Sequence, residues 1–168
     1  MSDQRLQAKL MVKSDVAVLG LLGDWLAVLA RAVPGSDRIL DLEMNLRLLV
    51  TELFSNCMRH AYGGHSDGDV ELTFTASGRT MELAVRDFGT GPAADFDVNQ
   101  IQLPPNNEES ASGRGLFLVR QLVDRLSFQG GPNGSTFTAT LEIPAAGPTE
   151  EELLLAFFGE QSLGEAEA

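Results

Sequence analysis

From Leu6 to Val12, apolar and polar positions alternate, which predicts an opening β-strand. Its interleaved Gln and Lys mark it as a sheet edge. The period then lengthens. Ser14-Asp15 supplies a helix start, and Val16, Leu19, Leu22, Leu26 and Leu29 form a helical stripe that ends near Pro34-Gly35. A second helix is predicted from Arg38 or Asp41 to His60, with Leu42, Leu46, Leu49, Leu53 and Cys57 inward and Tyr62-Gly63-Gly64 as its stop. Alternation returns over Val70 to Ala76 and Thr80 to Arg86, joined by Ser77-Gly78-Arg79 as a hairpin. Pro92 to Ala111 lacks periodicity and reads as a mobile lid. Gly115 to Arg125 regains helical spacing, and Leu126 to Gln129 with Thr136 to Ile143 predicts a last antiparallel pair.

This order predicts an α+β fold, a two-layer helix/sheet sandwich whose mixed sheet is mainly antiparallel. Pro144 to Pro148 marks a boundary. Residues 1–144 are expected to form one domain, and 145–168 an acidic extension containing a short apolar helix from Thr149 and a frayed end.

Composition narrows the partners. The formal charge is −12, with 24 acidic and 12 basic residues, so the phosphate backbone of a nucleic acid is a poor ligand. Glu150, Glu151, Glu152, Glu160, Glu165 and Glu167 all follow Ile143 without a basic neighbour. The longest apolar stretch, Val16 to Val33, contains Asp24 and Arg31 and reads as a buried helix, not a membrane span. The single cysteine, Cys57, fits a reducing compartment. With no signal-peptide pattern at the start, a cytoplasmic location is expected.

Three segments carry candidate chemistry. Glu52 and Asn56 stand at i and i+4, on one helix face. A solvated surface pair has the same spacing, but these two side chains have useful complementary chemistry. An amide oxygen can ligate Mg²⁺ without adding charge, while a carboxylate one turn away can accept or orient a hydroxyl proton. Arg59 is close enough to contact phosphate or to cap the helix. His60 and His65 are the only histidines, too few for a histidine-built metal site.

Asp87 ends a strand before Phe88-Gly89-Thr90-Gly91. Here Gly89 and Gly91 let backbone approach a planar ligand, and the carboxylate can accept the exocyclic amino proton of adenine. A plain surface turn remains the alternative. Gly113-Arg114-Gly115 opens a predicted helix whose free amides favour phosphate, and Arg114 can add a forked contact. Leu116 follows as pocket wall or core. It is neither a dinucleotide-binding fingerprint nor a Walker A loop. Thr136, after Gly134, offers a hydroxyl.

In this order, ELFSNCMRHAY (Glu52–Tyr62), DFGTG (Asp87–Gly91) and SGRGLFLV (Ser112–Val119) resemble the GHKL ATP-binding superfamily, and within it the bacterial anti-sigma regulatory factor serine kinases. The resemblance runs from about Leu6 to Ile143. It implies Glu52 as general base, Asn56 as Mg²⁺ ligand, Asp87 as adenine-reading acid with Gly89 and Gly91 shaping its turn, Gly113 to Gly115 as phosphate loop, and Thr136 as the hydroxyl near adenine. It also implies a cytoplasmic homodimer that uses ATP and Mg²⁺, binds a sigma factor, and acts as a serine/threonine kinase on a STAS-like anti-anti-sigma protein. One departure stands out. Such kinases often carry a basic residue just before the second glycine segment, where this chain has Glu108, Glu109, Ser110 and Ala111. The second implied reading is therefore a nucleotide-responsive anti-sigma or signalling module without efficient turnover.

Overall fold

In the computed structural model the described residues are 5–89, 97–101 and 111–147. Strand β1 (Leu6–Lys13) leads through a short 3-10 turn into helix α1 (Leu19–Arg31). The Asp15 carboxylate caps that turn by accepting from the Ala17 amide at 2.9 Å, in keeping with the expected start at Ser14-Asp15. Helix α2 spans Leu42–Asn56. Strands β2 (Asp69–Ser77) and β3 (Thr80–Asp87) form the expected hairpin. Helix α3 covers Ala111–Leu122, and β4 (Arg125–Gly131) and β5 (Gly134–Glu142) form the final pair.

The sheet order is β1-β2-β3-β5-β4, which puts β1 at an edge as its composition implied. Every pairing among the described strands is antiparallel. One sheet face carries the core: Val70, Leu72 and Phe74 of β2, Met81, Leu83 and Val85 of β3, and Phe137, Ala139 and Leu141 of β5 are all buried. Leu22 and Leu26 of α1 and Leu46, Leu49, Leu53 and Phe54 of α2 pack onto that face. Each such side chain contributes about 1.5–3 kcal/mol of transfer free energy. The result is the two-layer α+β sandwich.

Three local features differ from the periodicity. The helix expected to reach His60 ends as an α-helix at Asn56 and widens into a π-turn over Cys57–Ala61. A glycine-rich cap closes it, with the Gly64 amide donating to the Met58 carbonyl at 2.8 Å and Gly63 and Gly64 at positive φ. Second, of the expected lid of 92–111 only residues 97–101 and 111 are described, and the rest lies outside the described residues. Val98–Gln100 forms a 3-10 turn, Val98 is buried in the core, and Arg120 Nη1 donates to its carbonyl at 3.2 Å. Third, α3 begins at Ala111, so Gly113 and Gly115 lie inside its first turns, not ahead of them. The extension beyond Gly147 lies outside the described residues.

Candidate functional site

The end of α2 organises the site. Glu52 is half-buried, and its carboxylate lies against the backbone of Gly115 on α3. A Cβ built on that glycine would collide with Glu52 Oε2 and stand 3.3 Å from its Cγ. The absence of a side chain at 115 therefore lets α3 and the Glu52 carboxylate share one space. Gly113 and Arg114 are in the same first turn of α3, where backbone amides lack acceptors within the helix. The Arg114 side chain is exposed, while Leu116 is buried in the core.

One turn on, Asn56 is 2% exposed. Its Oδ1 accepts from Arg59 Nη2 at 3.3 Å, but its buried Nδ2 has no hydrogen-bond partner. A buried amide nitrogen without a partner is costly, so this N–H donor points to a hydrogen-bond acceptor such as a phosphate oxygen. Arg59 itself is exposed beside it, its Nε donating to the Ser55 carbonyl at 3.3 Å. The π-turn aims this stretch at β3. Gly89 lies so close to the Ala61 carbonyl that no side chain fits there, and the Phe88 amide donates to the Tyr62 hydroxyl at 2.9 Å. The Tyr62 hydroxyl in turn donates to the Asp69 carbonyl.

Asp87 sits at the end of β3 and is 2% exposed. Its Oδ1 accepts two backbone N–H bonds, from Gly89 and from Ser135, each at 3.2 Å. Burial pushes its carboxyl above the ordinary value, and the two amides pull against that shift. Gly134, at φ +111°, leaves the room beside the Asp87 backbone carbonyl that a Cβ would fill. Burial also raises the Cys57 thiol, with the Asp87 charge adding to the effect, so the cysteine is a packed neighbour of the site and not a nucleophile.

One sequence expectation is corrected. Thr136 pairs with Arg86 across the sheet and therefore shares the face that Arg86 presents, opposite to Asp87. Ser135 is the hydroxyl on the Asp87 face, and its buried Oγ has no hydrogen-bond partner. The signal was present in the alternation: Phe137, Ala139 and Leu141 are the core positions of β5, so 135 and not 136 continues their side. The structure thus gathers Glu52, Asn56, Asp87, Gly89 and Gly115 around the end of α2, with Arg59 and Arg114 exposed at the margin. Gly91 lies outside the described residues.

A family model described as the histidine kinase-like ATPase domain matches residues 12–141. The chain belongs to this family. It is a GHKL-type ATPase domain homologous to the RsbW-like anti-sigma factor kinases. It is 31% identical over 91 residues to the serine-protein kinase RsbW of Bacillus velezensis, a match covering 51% of this chain and 56% of that kinase. With RsbW of Listeria monocytogenes it is 29% identical over 86 residues, covering 48% and 54%. The chain thus matches about half the length of these curated relatives. The crystal structure of the RsbU and RsbW domains of Rv1364c from Mycobacterium tuberculosis shares the fold, with a TM-score of 0.52 and 18% identity over 86% of this chain and 35% of that one.

The residues present suit the ligands of a GHKL domain. Two buried polar atoms lack partners, a buried carboxylate faces the β3–β5 end, and α3 meets Glu52 without a side chain between them. Among the described residues no three His, Cys, Asp or Glu side chains gather into a metal cage. Among the described residues no helix is long and apolar enough to cross a membrane.

Proposed function

We propose that this domain is an ATP-dependent serine/threonine kinase and anti-sigma regulator that phosphorylates a STAS-like anti-anti-sigma protein. The observation that carries the proposal is the seating of the Glu52 carboxylate against Gly115, one helical turn from the incompletely satisfied, buried Asn56. Asp87 and Ser135 would read adenine, the carboxylate accepting from its exocyclic amine. The first turn of α3, with Arg114 and Arg59 at the margin, would face the phosphates. Asn56 would hold Mg²⁺, which when bound supplies positive charge against the phosphate oxygens.

Glu52 would accept the proton of the substrate serine hydroxyl as its oxygen forms a bond to the γ-phosphorus and the bond from that phosphorus to ADP breaks. Homology to the RsbW serine-protein kinases supports transfer to a protein serine. The proposed partners are a sigma factor bound in one nucleotide state and the STAS-like protein engaged in another, with the domain working as a cytoplasmic homodimer. The net charge of −12 favours protein partners over nucleic acid.

A second reading, a nucleotide-responsive binding module without efficient turnover, rests on Glu108 and Glu109 standing just before the second glycine segment. Incubation with ATP, Mg²⁺ and candidate STAS-like proteins separates the two. Labelled phosphoserine on the partner supports the kinase. ATP binding and sigma-factor capture without transfer support the module.

A further inference from the structure

At the end of α2 farthest from Glu52, the last turns of α1, the turn through Pro34 and Ile39, and the first turn of α2 enclose a cavity of about 430 Å³. Its wall is mostly apolar, with Ala27, Ala30, Val33, Ile39, Leu42 and Leu46. The volume falls in the range of about 300–1,000 Å³ typical of occupied sites. Beside it Leu40 and Met44 are 82% and 64% exposed, large apolar side chains left in water next to an apolar opening.

The chain delivers an occupant to this opening. Arg79 Nε donates to the Ile143 carbonyl at 2.8 Å, and Arg38 Nη1 donates to the Pro144 carbonyl at 3.4 Å. The Ile143 side chain stands 3.3 Å from where a Cβ on Gly35 would be, and Gly35 lines the cavity. The polypeptide therefore leaves the sheet at the edge of the cavity. Leu153 lies shortly beyond the last described residue, Gly147, and opens the run LLLAFF. Six residues span at most about 20 Å when extended, ample for an adjacent site. Leu154, Phe157 and Phe158 fall at i, i+3 and i+4, one stripe of a helical turn. Glu150, Glu151 and Glu152 precede the run, and the opening carries Arg31, Asp37 and Glu43 with Arg38 beside it, a balanced set, so the apolar stripe and not charge directs the docking.

We propose that residues 149–158 fold back on their own domain and dock Leu154, Phe157 and Phe158 into the cavity between α1 and α2. The extension then serves as an intramolecular brace on the helix that carries Glu52 and Asn56. It also covers apolar surface that the sandwich alone leaves open.

Hydrogen–deuterium exchange on the full chain tests this. The variant Phe157→Ser/Phe158→Ser removes the two proposed anchors, and unchanged exchange in β2 and β3 verifies that the sandwich is kept. The expected result is about tenfold or greater acceleration of exchange in residues 30–46, since two anchoring side chains are lost. The Phe157→Leu/Phe158→Leu chain should retain most of the protection, and protection should not vary with protein concentration. Wild-type exchange in the double-serine chain would overturn the proposal. Protection that grows with concentration would also overturn it, assigning the cavity to a second copy.

Discussion

The carboxylate of Glu52 fills the space in which a side chain on Gly115 would stand. Because the colliding atoms are the far end of a flexible side chain, Gly115→Ala should displace Glu52 without unfolding the domain. Phosphate transfer should then fall as far as in Glu52→Gln, and the double variant should be no worse than either single one, as expected of two residues acting through one position. Single-turnover transfer rates across the four proteins check this. Additive losses would mean that Gly115 serves something other than the placement of Glu52.

Asp87 is predicted to sacrifice stability for base recognition. Burial raises its carboxyl above the ordinary 3.8, so the folded state binds more protons than the unfolded state. Folding stability from this group therefore decreases as pH rises from 3.8 through the raised value, and its charge is a net cost at neutral pH. In Asp87→Asn the remaining carbonyl oxygen can still accept from Gly89 and Ser135. The variant should melt at or above the wild-type temperature at neutral pH, with a shallower pH slope. It should bind ATP at least about tenfold more weakly, because an amide nitrogen would meet the adenine amine. A lower melting temperature with ATP affinity intact would make the carboxylate a brace of the turn instead.

Ser135 and Thr136 give a paired test of which hydroxyl serves adenine. Ser135→Ala should weaken ATP binding by up to about tenfold, the worth of one hydrogen bond. Thr136→Ala should leave it unchanged, since Thr136 shares its face with Arg86. Calorimetric titration decides, and the opposite ranking would reverse the assignment made from strand register.

Cys57 should resist alkylation in the native protein, because burial raises its thiol and keeps it protonated. Its reaction should follow local opening of the π-turn and slow further when ATP and Mg²⁺ occupy the neighbouring site. Rapid native-state alkylation, unaffected by saturating nucleotide, would contradict that placement.

Much of this was legible in the chain. Period-two alternation gave β2 and β3, and the stripe from Leu42 to Leu53 gave α2, because each buries one face against a common core. The i, i+4 spacing of Glu52 and Asn56 placed them one turn apart on a helix, where α2 carries them. What escaped depended on contacts distant in sequence. Nothing local shows that Gly115 is reserved for Glu52, 63 positions earlier. The π-turn at Cys57 keeps helical composition while changing its hydrogen bonds, so periodicity ran through it. Val98 looked like loop because its burial comes from packing that no short window contains. The one-residue slip from Ser135 to Thr136 arose from reading a hydroxyl motif without first fixing strand phase.

The most direct measurement is transfer of radiolabelled γ-phosphate from ATP to a STAS-like partner, run with wild type and Glu52→Gln while ATP affinity is followed in parallel. The kinase account predicts labelled serine with wild type, a rate lowered by roughly 10²–10⁴-fold in Glu52→Gln, and nearly equal ATP affinity for both. Equal transfer by Glu52→Gln, or tight ATP binding by wild type with no phosphoserine on any such partner, would contradict it.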